Sequence, residues 1–188
     1  MDFDSVVKKR VFVQKFASRK PAPEKIMELI QTANHAPNPG NLPHVFYVVV
    51  DDPTLIVSLA ELCQQDYVKK APYVIIVCSD AKHLKRLYPK RADRYLKHHV
   101  GETVDHLLLK ATNEGLGTAL VEIFPDQQVH ELLGIPEGIE IELIIAVGYA
   151  FEKGKPPSSY PILDTRVFFN SWNNRFYKPL KRTGREDI

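Results

Sequence analysis

The chain has 188 residues, a net charge of +2, and hydrophobic and charged fractions of 44% and 26%. That is the composition of a soluble globular protein, long enough for one domain with a substantial core. The near-balanced charge excludes a strong whole-chain attraction to nucleic acid or anionic membrane, and no apolar run approaches the roughly 18 residues of a membrane helix.

The acidic start, Met1-Asp2-Phe3-Asp4, carries no secretory apolar core, so a cytoplasmic location is expected. Asp4 is placed to cap a helix over 5–14, with Val6 and Val7 on one side and Lys8, Lys9 and Arg10 on the other. Pro21 and Pro23 break the chain, and Pro23 suits the first position of a helix over 23–35. Its Ile26, Leu29, Ile30 and Ala33 form an i, i+3, i+4, i+7 stripe, and Pro37 ends it. Residues 36–43 are dominated by Pro, Asn and Gly and read as a rigid, exposed loop. Residues 45–50 and 73–78, rich in β-branched and aromatic side chains, read as buried strands. Between them 53–64 forms a helix with Leu55, Ile56, Leu59, Ala60 and Cys63 facing in. Cys63 and Cys78, without a CxxC, read as reduced buried thiols.

Residues 81–99 hold seven Lys or Arg residues together with His83, His98 and His99. Asp80 and Asp93 interrupt the run and few aromatics interleave it, which favours a solvated helix pair over a nucleic-acid patch. Helix 102–114 carries Val104, Leu107, Leu108 and Ala111 on one stripe and stops at Gly115. Strand 118–121, helix 126–133 closed by Gly134, and strand 141–149 follow. Beyond a loop at 153–159 the tail is aromatic and basic, with Phe168, Phe169, Trp172, Phe176, Tyr177, Lys181 and Arg182. So many aromatics call for a packing partner, such as a second subunit. The pattern is α+β: four apolar strands in one sheet layer with at least five helices around it.

Most motif-borne chemistry is absent. There is no G-x-x-x-x-G-K-[ST], no G-x-G-x-x-G, no H-E-x-x-H and no G-x-S-x-G. His83, His98, His99 and His106 fit no ligand spacing and read as solvated helix histidines, so no metal is expected. With few candidate acids or nucleophiles, a cofactor is expected to supply the reactive atom.

Several stretches, in order, resemble the FMN-dependent nitroreductase family. Residues 8–16 (KKRVFVQKF) resemble the family's RRSxRxF, and 36–44 (APNPGNLPH) its APSxxNxQPW. Asp66-Tyr67-Val68 before 70–77 (KAPYVIIV) resembles the segment leading to APxxIVV. Residues 115–124 (GLGTALVEIF) are similar to GLGTxxxxxF, and 133–138 and 146–149 to LGIPEG and xxxGYP. The resemblance runs from about residue 5 to 155. It implies a single domain over 1–188, a mostly antiparallel sheet surrounded by helices, and a homodimer whose tail, 155–188, is exchanged with the partner. It implies FMN at the dimer interface, reduced by NAD(P)H and reoxidised by a nitroaromatic, quinone or related acceptor.

By position, the resemblance assigns Lys9, Arg10, Val11, Phe12 and Gln14 to the flavin phosphate segment, with Lys181 and Arg182 as further cations. It assigns Asp66 to the pyrimidine edge. Leu120, Val121, Glu122 and Ile123 would line the ring, with a backbone N–H near Glu122 towards N5 and no catalytic side chain. Asn38, Pro39 and Asn41 would come from the other subunit. The chain departs from the pattern at Phe12 for serine, Gln14 for a cation, His44 for tryptophan and Ile123 for glycine, and its loop after Asn41 is one residue short. These departures keep two alternatives open: a non-catalytic flavin-binding or storage member, and a variant with a dedicated substrate.

Overall fold

The computed structural model describes residues 1–152, 154 and 166–175. They fall in two compact units, Met1–Lys155 and Pro156–Ile188. In the first unit, four strands, β1 (Val45–Val50), β2 (Tyr73–Ser79), β3 (Gly117–Val121) and β4 (Glu140–Gly148), form one sheet in the order β1-β2-β4-β3. Every neighbouring pair is antiparallel.

The two central strands are the most apolar, and β2 is buried along its whole length. Alternation splits their side chains between two cores. Val74, Ile76, Cys78, Ile144 and Ala146 face one cluster, with Ile56, Leu59, Cys63 and Val129 from α3 (Pro53–Leu62) and α6 (Asp126–Leu133). Tyr73, Ile75, Val77, Leu143, Ile145 and Val147 face the other. That second cluster is closed by α2 (Pro23–Ala33), α4 (Lys82–Leu87) and α5 (Ala92–Asn113). The arrangement is the expected α+β one, with helices on both faces.

Helix starts and stops follow local chemistry where it is strong. Asp52 caps α3 by accepting from the Thr54 and Leu55 N–H groups at 2.7 and 3.2 Å. Gly134 adopts φ +64° and ends α6 in the left-handed cap that glycine tolerates best.

Two helices differ from the sequence expectation. The first, α1 (Phe3–Lys9), is capped by Asp2, not Asp4, and ends well before residue 14. Tertiary pairing stops it: Val13 is buried and its N–H donates to the Thr118 carbonyl at 3.0 Å, so residues 11–13 are extended. Val7, expected to face in, is 45% exposed. The second difference is α5, one helix of 22 residues where two were expected to meet near Gly101. Its buried stripe, Leu96, Val100, Thr103, Val104 and Leu107, runs across the glycine. That burial outweighs the roughly 1 kcal/mol by which an interior glycine disfavours a helix.

In the second unit, Phe168 pairs with Arg175 in an antiparallel bridge, and its ring lies 4.7 Å from that of Trp172. Most of the expected tail, including Lys181 and Arg182, lies outside the described residues. Among the described residues no helix is long and apolar enough to cross a membrane.

Candidate functional site

The outer edge of β3 gathers most of the residues singled out above. After α1 the chain turns at Arg10, and Phe12 forms a parallel bridge with Thr118 on the side of β3 away from β4. Two glycines admit this segment. A Cβ on Gly117 would stand 2.5 Å from Val13 Cγ2, and one on Gly154 would stand 2.5 Å from Val11 Cγ2 and 2.6 Å from the Phe12 carbonyl oxygen. Close backbone approach therefore fixes where Lys9 to Gln14 lie.

Arg10 is partly buried, yet among the described residues nothing accepts from its guanidinium. Lys9 is exposed and, among the described residues, reaches only the Met1 sulfur, at 3.4 Å. Gln14 is exposed. A cleft of about 550 Å³, bordered by Lys9, Val11, Val13, Gly117 and Glu152, runs beside the segment. That volume is in the range of small-molecule sites.

Phe12, where the resemblance expected a serine, packs edge-on against Tyr67 with ring centroids 5.5 Å apart. Tyr67 in turn donates its hydroxyl to the Leu120 carbonyl at 3.4 Å. Burial pushes the Tyr67 phenol above its ordinary pKa, so it remains a donor at neutral pH. This aromatic pair ties the Lys9 to Gln14 segment, the turn holding Asp66, and β3 into one patch. Tyr67 was missed by the sequence reading; its only signal was a large aromatic inside an otherwise polar turn. Asp66 is itself almost fully exposed and pairs with Lys69 at 3.3 Å.

Strand alternation sets what β3 presents. Thr118 and Leu120 turn their carbonyls away from β4, one to Val13 and the other to Tyr67. The next residue in that phase is Glu122, just past the strand end. Among the described residues its N–H has no backbone or side-chain acceptor. Val121 is buried in the core, whereas Ile123 is 84% exposed. The patch thus offers a cation, an open backbone donor and an apolar shelf, a donor set suited to an anionic, planar ligand.

Asn38, Pro39 and Asn41 are not part of this patch. They form a 3-10 turn ahead of β1, at the opposite edge of the sheet from β3. One histidine behaves differently from expectation. His99, read as a solvated helix residue, is 5% exposed, and its Nδ1 contacts the Pro37 carbonyl at 2.8 Å. The helix face it occupies packs on the loop, so it is withdrawn from water. His44 is 2% exposed, with Nε2 3.1 Å from the Pro39 carbonyl. Among the described residues no three His, Cys, Asp or Glu side chains converge as a metal site.

Known proteins resemble this chain in sequence and in fold. The chain is 23% identical to an iodotyrosine deiodinase of Thermotoga neapolitana, over 89% of its length and 97% of that protein. It is 27% identical to a putative NADH dehydrogenase/NAD(P)H nitroreductase of Archaeoglobus fulgidus, over 73% of its length and 79% of that protein. Among solved structures it superposes on nitroreductase A of Vibrio parahaemolyticus with a TM-score of 0.80 at 22% identity, covering 92% of this chain and 77% of that one. The NADPH:FMN oxidoreductase of Vibrio harveyi, complexed with NAD+, gives a TM-score of 0.79 at 22% identity, covering 90% and 77%. The nitroreductase family model matches residues 7–70 and 57–149, most of the first unit and all four strands. The chain belongs to the nitroreductase family.

Proposed function

We propose that this chain is an FMN-dependent oxidoreductase. It takes electrons from NAD(P)H, passes them to a nitroaromatic, quinone or related small acceptor, and works as a cytoplasmic homodimer. The observation that carries this reading is the partly buried Arg10, on the same sheet edge as the Glu122 N–H, neither with a partner among the described residues. A guanidinium suits a phosphate, and a fixed backbone donor suits the polar edge of a flavin ring.

When bound, FMN supplies the two-electron redox chemistry. The chain's own residues hold it. Arg10 and Lys9 bind the phosphate, joined in this reading by Gln14. The Glu122 N–H donates to the ring and needs no reorganisation to do so, because β3 already fixes it. Asp66 accepts from the pyrimidine N3–H; its surface pair with Lys69 is weak enough to exchange. Leu120 and Ile123 exclude water from the ring, and the Phe12–Tyr67 pair keeps the two halves of the patch in register.

The homodimer reading rests on the flavin role that the resemblance gives Asn38, Pro39 and Asn41. These residues precede β1, at the far edge of the sheet from β3, so in this reading a second copy supplies them. Phe3, Ile123 and Phe151, each more than 70% exposed, offer apolar surface for that docking. A second reading, a variant with a dedicated substrate such as an aryl halide, is favoured by the relative named as an iodotyrosine deiodinase.

The test is the visible spectrum of the purified chain, before and after NADH or NADPH. Flavin bands that bleach support the reading, and a colourless protein that takes up no added FMN overturns it. Arg10→Gln removes a charge-assisted hydrogen bond of about 1.5–3 kcal/mol, so FMN affinity should fall about 10- to 150-fold. Its thermal stability should stay within about 0.5 kcal/mol of wild type, because Arg10 has no partner among the described residues. Equal FMN affinity in Arg10→Gln and wild type would remove Arg10 from the site.

A further inference from the structure

The turn that carries Asn38, Pro39 and Asn41 has little of its own to hold it. It lacks a side-chain cap, it contains two residues in the left-handed region (Gly40 at φ +70°, Asn41 at φ +55°), and its one internal backbone bond is long, 3.3 Å. Among the described residues the Asn38 and Asn41 side-chain amides make no hydrogen bond, so both are available to a ligand.

Two buried rings grip the turn from behind. His99 on α5 donates from Nδ1 to the Pro37 carbonyl at 2.8 Å, and His44 donates from Nε2 to the Pro39 carbonyl at 3.1 Å. A carbonyl only accepts, so each bond fixes which nitrogen carries its proton. The rings meet edge to face, centroids 6.3 Å apart. Thr103 Oγ1, 3.4 Å from His99 Nδ1, gives the same N–H a second, weaker acceptor.

We propose that His44 and His99 are positioning residues. They form a two-ring latch that fixes residues 37–41 in the shape in which Asn38 and Asn41 meet the flavin held by the other subunit. The inference rests on the function proposed above and adds to it a part of the site that depends on pH. Around His99 stand Tyr95, His98 and Glu102 on α5, His44 from the loop, Tyr47 from β1 and the neutral Asn34 at the end of α2. Burial holds the His99 imidazole below the ordinary value of 6.5; the Pro37 carbonyl pulls the other way, His44 adds to the lowering, and Glu102 opposes it. Burial outweighs the Pro37 bond, and the loop laid against the ring supplies part of that burial, so the neutral ring favours the latched loop. The latch is therefore whole above about pH 6.5 and weakens as pH falls through the lowered value.

The conservative replacements keep the bonds, and the one at His99 removes its titration. An asparagine amide can donate from where His99 Nδ1 lies, and a glutamine amide from where His44 Nε2 lies. The experiment is FMN titration of the full-length chain by flavin fluorescence between pH 5.5 and 8, together with amide hydrogen exchange of residues 38–42. Wild-type affinity should be flat at neutral pH and fall on the acid side. His99→Leu and His44→Leu should bind FMN about five- to tenfold more weakly at pH 7.5, because less of the loop is in the competent shape, and should exchange loop amides faster without FMN. His99→Asn and His44→Gln should regain affinity, and His99→Asn should lose the acid-side fall.

Leucine variants that bind FMN like wild type, or a His99→Asn variant with the wild-type pH profile, overturn the latch and leave the proposed function standing. A wild-type chain that takes up no FMN overturns the proposed function and with it the flavin role of the loop. In that case wild-type exchange rates in the leucine variants overturn the latch itself as well.

Discussion

Gly117→Ala tests how the phosphate-side segment is held. A methyl group there would stand 2.5 Å from Val13 Cγ2, 3.0 Å from Val13 Cβ and 3.1 Å from Val13 Cγ1. Carbon atoms in good contact lie about 3.5–4.0 Å apart, so a displacement of roughly 1 Å is required. Val13 cannot supply it by rotating, because Cβ is one of the crowded atoms and a valine has little freedom at χ1. The backbone of residues 11–13 must move instead, against the 3.0 Å bond from the Val13 N–H to the Thr118 carbonyl. Overpacking of this kind costs about 1–3 kcal/mol, and the gain from replacing a strand glycine, about 0.5–1 kcal/mol, offsets only part of it. The expected outcome in urea or thermal unfolding is a loss of about 1–2 kcal/mol, a Tm lower by about 2–6 °C. FMN affinity should fall with it, since Arg10 lies three residues before the displaced valine. Val13→Ala alone should also destabilise, through lost burial and a cavity. In the double variant the added methyl enters the vacated space, so the losses should fall short of their sum by at least about 1 kcal/mol. Wild-type stability in Gly117→Ala, or strict additivity in the double variant, would refute the steric account.

Burial pushes the Cys63 and Cys78 thiols up to about 11 each, with Glu142 adding to the shift at Cys78. From about pH 9 to about 11 the unfolded chain therefore loses thiol protons that the folded chain keeps, and stability falls as pH rises. Unfolding titrations should show this alkaline loss reduced in Cys63→Ala/Cys78→Ala, and a thiol reagent at pH 8 should label neither cysteine until the chain unfolds; an unchanged alkaline limb would contradict the assignment. Phe12→Ser installs the side chain that the family resemblance led us to expect, but it removes a ring packed on Tyr67 and on the core. It should destabilise by about 2–4 kcal/mol without tightening FMN binding, and a variant as stable as wild type would show that the aromatic pair contributes nothing.

The parts of the fold that were legible are those that one apolar run decides alone. The buried run of β2, the run of β4 and the Gly134 stop of α6 each carry their own signal, and each element lies within one or two residues of its expected bounds. The elements that differ were decided by distant residues. Asp2 and Asp4 are equally good caps in isolation, and the early end of α1 depends on Thr118, more than a hundred residues away. Gly101 looks like a helix break until the stripe on either side of it is seen to face the same cluster.

The candidate site divides along the same line. Arg10 and Glu122 are ordinary surface residues by composition, and only family resemblance singled them out. Structure adds what made them candidates: one has no partner among the described residues, and the other follows a strand in the phase that turns its N–H outward. Tyr67 and His99 escaped because their importance lies in what they touch. A tyrosine beside Asp66 reads as turn filler until its hydroxyl is found on Leu120, and a histidine in a basic run reads as solvated until its ring is found under Pro37. The glycines at 117 and 154 belong with them, since each is required by a side chain or carbonyl that sequence distance hides. All of these contacts hold backbone segments in place. In the proposed reading a bound cofactor carries the chemistry, and the protein then needs no catalytic side chain that a sequence could announce.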